Sequence, residues 1–466
     1  MNRRTVSAGS RAMPETAWLS VFEKETVPGI CLAGIPFLSV LFGQTVFFGT
    51  VCLYLFAGGR RKMLKNPGYE QAQALLLETV QLVGTETAPL SECGCRVLAQ
   101  ELTAQENVPA FDRSPYDGYA LRAADTAAAS RENPAELRVL EEIPAGSVPT
   151  HEITAGTAAK VLTGAPIPPG ADVVVMYEKT EFTPESVRVF APLRSGDNIV
   201  RAGEDVCRGT VLAPRGSVID PGLSGTLAAQ GVAEPLVYRV PRVAILSTGS
   251  ELVEADETPG AGKIRNSNRY VFETVLRQLG CEPVYYGIAG DDIARIAGQI
   301  GRALAECDAM ITTGGVSVGD YDLTPAAMEK AGVEILVRGV TIKPGMSCAY
   351  GVRDGKILCA LSGNPASALT NFYAVALPAL RKLTGRGDYR LREITVTLAE
   401  GFPKKSPATR FLRGRLVLRG GTVCMEVPQD QGNVVLSSTV GCNVMAVVPA
   451  GSGPVAPGAA LQGFLL

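Results

Sequence analysis

The sequence predicts a multidomain protein of the α/β plus β class, built around a doubly wound, mostly parallel α/β domain. In residues 241–385, short apolar runs alternate with helical segments, which is typical of a parallel sheet with helices on both faces. Residues 109–204 and 386–466 carry short β-like runs separated by Pro and Gly turns. These two segments therefore predict an inserted β module and a small C-terminal β domain.

The segments that flank the β module, residues 63–108 and 205–240, have a mixed and partly helical character. Apolar residues recur at helical spacing from Tyr69 to Val83, a second helix is expected after the N-cap candidate Ser91, and a third near residues 223–230. We expect the two segments to pack together as one framework domain, which the β module interrupts.

The length and composition describe a globular protein of several domains. The chain has 466 residues, of which 46% are hydrophobic and 19% charged, and this is too long for one compact core. A net charge of -2 gives no reason to expect a nucleic-acid partner, which would require a basic face. The eleven cysteines include no CxxC pair, which favours a reducing, cytoplasmic compartment.

Histidine usage limits the chemistry. The only histidine, His151, lies in a polar segment. Multi-histidine zinc and iron sites are therefore excluded, and a Ser-His-Asp mechanism is disfavoured. If the protein uses a metal, its ligands would be carboxylates, which favour Mg²⁺.

The first 62 residues differ from the rest of the chain. Residues 27–59 carry no charge and are rich in apolar side chains, and a basic cluster, Arg60-Arg61-Lys62, follows them. This run is long enough to span a bilayer, and the basic cluster would place the following body in the cytoplasm. The alternative is a start codon assigned too early, with Met63 as the natural beginning. We favour this alternative because nothing downstream requires an anchor.

The stretch DAMITTGGVSVGDYDLT, residues 308–324, combines a buried strand with a glycine turn. Met310 and Ile311 fit a central strand, and the TTGG sequence after them lets the backbone turn sharply and approach a ligand. Open α/β sheets bind ligands at this end of a strand, where a helix N-terminus faces an anion. An ordinary strand-to-helix turn is the alternative. The polar and glycine residues concerned are Thr312, Thr313, Gly314, Gly315, Ser317, Asp320, Asp322 and Thr324.

Acidic residues follow three successive strands of the expected α/β domain: Glu251, Asp291 and Asp322. Because the carboxyl ends of parallel strands meet at one edge of the sheet, these carboxylates suit Mg²⁺ held beside a phosphate. Lys343 and the glycine loop at residues 362–367 would supply positive charge and hydroxyl groups. Each residue alone could face solvent, but four such loops at matching strand ends favour a functional site.

Taken together, the motifs resemble those of the molybdopterin molybdenumtransferases, the family that includes the gephyrin E domain. The matching segments occur in order from Met63 to the end of the chain: FDRSPYDGYALR, VLTGAPIPPGADVVV, IVRAGEDV, VAILSTGSEL, ITTGGVSVGDYDLT, IKPG and SGNPASA. The resemblance implies insertion of molybdate into the dithiolene of adenylylated molybdopterin, with Mg²⁺-dependent release of AMP. It also implies a homodimer, in which the α/β domain of one subunit faces the β module of the other.

The resemblance further implies roles for individual residues and partners. The TTGG turn and Asp322 would bind the pterin and its phosphate, and molybdate would face Lys343 and an arginine. Molybdopterin adenylyltransferase and apo-molybdoenzymes are the expected protein partners. The implied catalytic residues are Asp117 and Thr163 from the partner's β module, together with Glu251, Asp291, Asp322 and Lys343. The implied metal ligands are Glu251, Asp291 and Asp322. The implied cofactor-binding residues are Thr312, Thr313, Gly314, Gly315, Ser317, Asp322, Gly363, Asn364, Pro365, Ser367, Arg410, Arg413 and Ser437.

Two positions depart from the family pattern. Ser362 stands where the family usually has proline, which would loosen the loop around the oxyanion. Ser250 stands where many members have aspartate, which removes one carboxylate from the expected metal site. The motifs also leave open which of Arg410 and Arg413 meets molybdate.

Two other functions compete with the transferase interpretation. The related adenylyltransferase shares the TTGG pattern, but it lacks the β module and the terminal β domain. A non-catalytic molybdopterin-binding scaffold is the second alternative, tethered to a membrane if residues 27–59 form an anchor.

Overall fold

The computed structural model of the protein describes residues 62–317 and 323–466. The candidate membrane span at residues 27–59 and the candidate ligand Asp322 lie outside the described residues. Within the described part of the chain, no helix is both long enough and apolar enough to cross a membrane.

A seven-stranded sheet forms the centre of the α/β domain. One strand, Cys348–Arg353, runs antiparallel to its two neighbours, and all the other neighbouring strands pair in parallel. The prediction of a mostly parallel sheet is therefore confirmed. In spatial order the strands are Leu64–Lys65, Glu334–Arg338, Cys348–Arg353, Lys356–Leu361, Ala309–Thr313, Arg242–Thr248 and Glu282–Ala289.

Helices cover both faces of this sheet because successive strand residues point to opposite sides. Val243 and Ile245 belong to the apolar cluster on one face, and Ala244 and Leu246 belong to the cluster on the other. The sheet is thus doubly wound. The helices packed on the first face are Tyr69–Thr79, Ser267–Gln278, Pro365–Asn371 and Leu377–Leu383, with a π-helical turn at Phe372–Ala376, and those on the second face are Ile293–Glu306 and Leu323–Lys330.

The chain just after Met63 contacts the α/β domain. Leu64–Lys65 pairs with the edge of the sheet, and helix Tyr69–Thr79 follows it. Leu76 of this helix is fully buried in the main apolar cluster, and the carbonyl oxygen of Leu77 accepts a hydrogen bond of 2.6 Å from Lys382 Nζ. The apolar stripe that predicted the helix is therefore buried in the main apolar cluster, which also includes Val97, Ala99 and Tyr238 of the framework segments.

The segments on either side of the β module pack together through short pairings and a shared apolar cluster. The helix expected after Ser91 does not form, because only the single 3₁₀ turn Leu90–Glu92 is present there. Val97 and Leu98 instead form β-bridges to Val218 and Val237, and this pairing replaces a local helix. The paired strands are Thr85–Thr87 with Leu236–Tyr238 and Leu102–Thr103 with Val211–Ala213, and helix Pro221–Ala229 lies beside them.

The β module contains a six-stranded sheet. Four of its five neighbouring pairs are antiparallel, and the pair Ala135–Ile143 with Thr157–Val161 is parallel. In spatial order the strands are Val173–Met176, Gly118–Leu121, Thr157–Val161, Ala135–Ile143, Ser186–Val189 and Thr180–Phe182.

The C-terminal β domain is closed on itself like a barrel. Strand Thr409–Arg419 pairs with both Thr422–Glu426 and Val444–Val448, which joins the two ends of the sheet. The strands Arg392–Leu398 and Ala460–Leu465 complete the ring. Strand Ile342–Lys343, which arises from the α/β domain, adds to the sheet beside Thr409 and Arg410.

Candidate active site

A cavity of about 890 Å³ lies where the carboxyl ends of the central parallel strands meet the C-terminal β domain. This is the edge at which open α/β sheets bind ligands. The residues that the sequence analysis singled out and that line this cavity are Glu251, Asp291, Thr313, Gly314, Gly315, Ser317, Lys343, Gly363, Asn364, Ser367 and Arg410.

The turn after strand Ala309–Thr313 requires glycine at two successive positions. Gly314 and Gly315 have φ angles of 99° and 62°. A Cβ on Gly314 would lie 2.2 Å from the carbonyl oxygen of Thr248, and one on Gly315 would lie 2.5 Å from Thr324 Oγ1. Thr324 also closes the turn, because its hydroxyl donates a 3.0 Å hydrogen bond to the carbonyl of Gly314. The backbone at this strand end is thus bare and can approach a ligand closely.

The two threonines before this turn face opposite sides of the sheet. Thr313 lines the cavity. Thr312 is fully buried, does not line the cavity, and its hydroxyl has no hydrogen-bond partner. Of this pair, the structure brings only Thr313 to the site. Asp322, the last residue implied for this turn, lies outside the described residues.

Two acidic residues reach the cavity from neighbouring strand ends. Asp291 Oδ2 accepts hydrogen bonds from the hydroxyl of Ser250 at 2.5 Å and from its backbone N–H at 3.2 Å. Glu251 folds back over Gly249, where a Cβ would lie 2.4 Å from its carboxylate oxygen. Ser250, which the family resemblance marks as a departure, therefore acts as a donor to Asp291.

The described residues contain no group of three or more His, Cys, Asp or Glu side chains that could hold a metal ion. The third ligand implied by the resemblance, Asp322, is outside the described ranges. The magnesium ligand set therefore stays a prediction.

The opposite wall of the cavity is positively charged. Lys343 and Arg410 are directly paired partners of neighbouring parallel strands, and both line the cavity. Arg410 Nε donates a 3.1 Å hydrogen bond to Ser406 Oγ, and its guanidinium lies 5.2 Å from the ring centroid of Phe402. Burial lowers the pKa of Arg410 from its ordinary value, although arginine keeps its charge. Lys404, which the motifs did not indicate, lines the same wall.

Arg413 is not part of this wall. It is 2% exposed and does not line the cavity, because residues three apart on a strand point to opposite sides. Its guanidinium donates hydrogen bonds to Thr370 Oγ1 at 3.2 Å, Ser438 Oγ at 3.0 Å and the carbonyl of Gly432 at 3.3 Å. Burial lowers the pKa of Arg413 as well. Of the two arginines that could meet molybdate, the structure places Arg410 at the cavity. Arg413 instead joins the helix Pro365–Asn371 to the loop residues Gly432 and Ser438.

The SGNP loop reaches the cavity through part of its length. Gly363, Asn364 and Ser367 line it, whereas Pro365 begins helix Pro365–Asn371 and does not. Ser362 Oγ accepts a 3.2 Å hydrogen bond from the N–H of Asn364. Ser362, which the family resemblance marks as a departure, therefore forms a hydrogen bond within the loop.

Three residues implied by the resemblance lie away from the cavity of their own chain. Asp117 and Thr163 lie in the β module, and Ser437 lies exposed in the turn Leu436–Thr439. Asp117 Oδ1 accepts hydrogen bonds from the N–H of Thr163 at 2.7 Å and from its hydroxyl at 2.8 Å. These bonds lower the pKa of Asp117, so the carboxylate is kept charged on an exposed surface.

The fold and the cavity define a class: an α/β protein with a cavity at the carboxyl ends of its parallel strands, which faces cationic side chains of a closed β domain. Residues 68–231 match the MoeA N-terminal region (domain I and II), residues 244–382 match a probable molybdopterin binding domain, and residues 395–464 match the MoeA C-terminal region (domain IV).

Known proteins of this class are similar over most of the chain. A molybdopterin molybdenumtransferase of Bacillus subtilis (strain 168) is 37% identical over 388 residues, which cover 82% of this chain and 90% of that protein. One of Staphylococcus aureus (strain MRSA252) is 37% identical over 368 residues, covering 78% and 87%. The crystal structure of a molybdopterin biosynthesis moeA protein from Pyrococcus horikoshii OT3 has a TM-score of 0.74 at 32% identity and covers 86% of this chain and 100% of that chain. The chain therefore belongs to the molybdopterin molybdenumtransferase family, and the resemblance inferred from its motifs is confirmed.

Proposed function

We propose that this chain is a transferase of molybdenum cofactor biosynthesis that inserts molybdate into the dithiolene of adenylylated molybdopterin and releases AMP. Family membership supports the general role. The observation that carries the detailed reaction is the charge division of one cavity. Glu251 and Asp291 line its α/β side, and Lys343 and Arg410 line its C-terminal side.

The cationic wall suits the oxyanion. Molybdate is a doubly negative tetrahedral anion, so its oxygens accept hydrogen bonds from charged N–H donors and hydroxyl groups. Lys343 and Arg410 are neighbours in the sheet, and Ser367 Oγ is a hydroxyl donor in the same cavity. We assign these three residues to molybdate and place Lys404 at the rim as an additional charge.

The glycine turn suits the terminal phosphate of the pterin. Consecutive positive φ angles at Gly314 and Gly315 form a concave run of backbone of the kind that binds anions. The phosphoanhydride to AMP would then extend toward the acidic wall. Cleavage of this phosphoanhydride requires neutralisation of the developing negative charge, and it does not require a protein nucleophile. The only histidine, His151, does not line the cavity, which agrees with such a mechanism.

Glu251 and Asp291 would hold Mg²⁺, with Asp322 as the third ligand that the resemblance implies. Their fit to a hard cation rests on oxygen chemistry and on a shared cavity. Both hydrogen bonds that the Asp291 carboxylate accepts from Ser250 go to Oδ2, and Oδ1 would be the ligand atom. When bound, the ion would neutralise the charge of the phosphoanhydride oxygens.

We further propose that the chain acts as a cytoplasmic homodimer, with molybdopterin adenylyltransferase and apo-molybdoenzymes as partners. Asp117 and Thr163 are exposed and lie outside the cavity of their own chain, as a contribution to the partner subunit's cavity requires. The charged state of Asp117 would suit a role beside a cation or an N–H donor there.

The test uses the purified full chain with adenylylated molybdopterin, molybdate and Mg²⁺. AMP release is followed with and without molybdate, and the product is offered to an apo-molybdoenzyme. We expect molybdate-dependent release of AMP and recovery of molybdoenzyme activity. Tight binding of molybdopterin without turnover would refute the transferase assignment and support the scaffold alternative.

A further inference from the structure

A buried asparagine, Asn371, joins the central sheet of the α/β domain to the loop that carries Lys343. It is the last residue of helix Pro365–Asn371 and is completely buried. Its Nδ2 donates a 2.5 Å hydrogen bond to the carbonyl oxygen of Gly345. Its Oδ1 accepts a hydrogen bond from the hydroxyl of Tyr350, which is also completely buried. Each end of the amide is therefore paired with a group from a different element of the fold.

The directions of these two hydrogen bonds are defined. A carbonyl oxygen can only accept, so Nδ2 of Asn371 faces Gly345 and Oδ1 faces Tyr350. Burial raises the pKa of Tyr350 well above its ordinary value, so the hydroxyl keeps its proton and remains a donor. The hydroxyl of Tyr350 thus orients the amide of Asn371, and the amide in turn holds the carbonyl of Gly345.

The loop that is held in this way forms part of the cavity wall. Residues 342–347 all line the cavity, and Lys343 is exposed in it. The N–H of Val340 donates a 3.0 Å hydrogen bond to the carbonyl of Met346, which closes the loop on itself. Asn371 bonds at Gly345, between Lys343 and this closure. The bond therefore fixes the middle of the loop to the helix.

Gly345 also determines how closely the loop approaches this helix. Its φ is 104°, and a Cβ there would lie 3.0 Å from Cβ of Asn371 and 3.1 Å from the carbonyl oxygen of Ser367. Ser367 belongs to the same helix and lines the cavity. The contact at Gly345 thus sets the separation between Lys343 and Ser367, which are both assigned to molybdate above.

Packing alone does not explain a polar pair at this position. Replacing both partners of a buried hydrogen bond by apolar groups of the same shape is often nearly neutral for stability. An apolar pair would fill the space between sheet and helix equally well, but it would not hold the carbonyl of a loop in one direction. The specific effect of Tyr350 and Asn371 is therefore on the position of the loop.

We propose that Asn371, oriented by Tyr350, is a positioning residue for the oxyanion wall, and that it holds Lys343 at the separation from Ser367 that molybdate requires. Asn371 and Tyr350 act through the loop and do not contact the substrate. The inference rests on the proposed function, because molybdate is the assumed ligand. Without the bond to Gly345, the loop occupies its binding position for only part of the time, and the apparent affinity for molybdate falls with that fraction.

The test measures molybdate binding to the full chain by equilibrium dialysis. Asn371→Leu removes both hydrogen bonds, and Tyr350→Phe removes only the hydroxyl. We expect Asn371→Leu to weaken molybdate binding about 2- to 13-fold, the equilibrium value of one hydrogen bond, and Tyr350→Phe to weaken it less. In the double variant, Tyr350→Phe should add no further loss, because its hydroxyl acts only through Asn371. At saturating molybdate, each variant should release AMP at a rate near that of the wild type.

Tyr286→Phe is the matched control. Tyr286 is 8% exposed, and its hydroxyl donates a 2.6 Å hydrogen bond to Glu306. It belongs to the apolar cluster on the other face of the sheet, and it does not line the cavity. This variant also loses a buried tyrosine hydroxyl, and it should bind molybdate as the wild type does.

The outcomes separate this inference from the proposed function. Unchanged affinity in Asn371→Leu would overturn the inference, as would an equal loss from Tyr350→Phe in both backgrounds or a similar loss in the control. If Asn371→Leu does not fold, Tyr350→Phe decides alone, and affinity equal to that of the wild type overturns the inference. A wild-type chain that binds no molybdate would refute the proposed function and this inference with it. Unchanged binding in the variants of a wild type that does bind would refute the inference only.

Discussion

Replacing one of two neighbouring arginines tests the assignment of the oxyanion wall. Arg410 lines the cavity beside Lys343, whereas Arg413 is buried and bonded to three protein oxygens. Methionine retains most of the apolar stem of arginine and removes the guanidinium. We expect Arg410→Met to raise the molybdate concentration needed for half-maximal AMP release, and Arg413→Met to act mainly on stability.

The structure gives the size of each effect. A hydrogen bond to a charged group contributes about 1.5–3 kcal/mol, so loss of one from Arg410 to molybdate raises the half-saturating concentration about 10- to 150-fold. Within the protein, Arg410 loses one bond to Ser406 and the contact with Phe402, about 1–2 kcal/mol together. Arg413→Met leaves three buried acceptors without their donor, and removal of a buried cation offsets part of the cost. We expect a net loss of about 2–4 kcal/mol in its free energy of unfolding.

The assay measures initial rates of AMP release against molybdate concentration for the wild type and the two variants, and urea unfolding gives their stabilities. The wild type and Arg410→Met should reach similar rates at saturating molybdate. The assignment is wrong if both variants are folded and Arg413→Met raises the molybdate requirement more than Arg410→Met does.

Three further substitutions have defined outcomes. Gly314→Ala puts a Cβ 2.2 Å from the carbonyl oxygen of Thr248, at a residue with a φ of 99°. This substitution should lower the free energy of unfolding, measured in urea, by at least about 2 kcal/mol and should weaken molybdopterin binding. An unchanged free energy of unfolding would contradict the strain argument. Ser250→Asp adds a carboxylate to the acidic wall and should lower the Mg²⁺ concentration for half-maximal AMP release, so an unchanged requirement would separate this position from the metal. Arg386 lowers the pKa of Asp388 to about 2 by hydrogen bonding, so this carboxylate stabilises the fold above about pH 4 and loses that effect as the pH falls toward 2. Asp388→Asn should flatten the stability profile between these values by about 1 kcal/mol or less, because the side chain is 44% exposed, and a profile equal to that of the wild type would refute the linkage.

Local patterns in the sequence were enough to predict the architecture at the site. Strand Ala309–Thr313 and its turn depend on an apolar run followed by two glycines, and both signals act within a few residues. The alternation of strands and helices then determines a parallel sheet, whose ligand edge follows from topology. The strand Leu64–Lys65 was missed because two residues carry no periodicity, and its pairing depends on an edge built by distant parts of the chain.

The direction of individual side chains could not be predicted. Thr312 and Thr313 lie in a strand buried on both faces, so no polar and apolar alternation shows which of them meets the ligand. The choice between Arg410 and Arg413 likewise depends on the phase of strand Thr409–Arg419, which its pairings with Ile342–Lys343 and Val444–Val448 determine. Lys404 gave no signal, because a lysine in a basic loop is an ordinary surface feature.

The same pairing explains how the two walls of the cavity stay complementary. Ile342–Lys343 leaves the α/β domain and becomes a strand of the C-terminal sheet, so Lys343 and Arg410 are held by one hydrogen-bonded ladder. Asn371 Nδ2 in turn donates a 2.5 Å hydrogen bond to the carbonyl of Gly345, which ties the following loop to the helix that covers the α/β sheet. The C-terminal domain therefore cannot move away from the acidic wall without breaking either this bond or the ladder. Lys343 and Arg410 are thus held in fixed positions relative to each other and to the helix Pro365–Asn371 of the α/β domain.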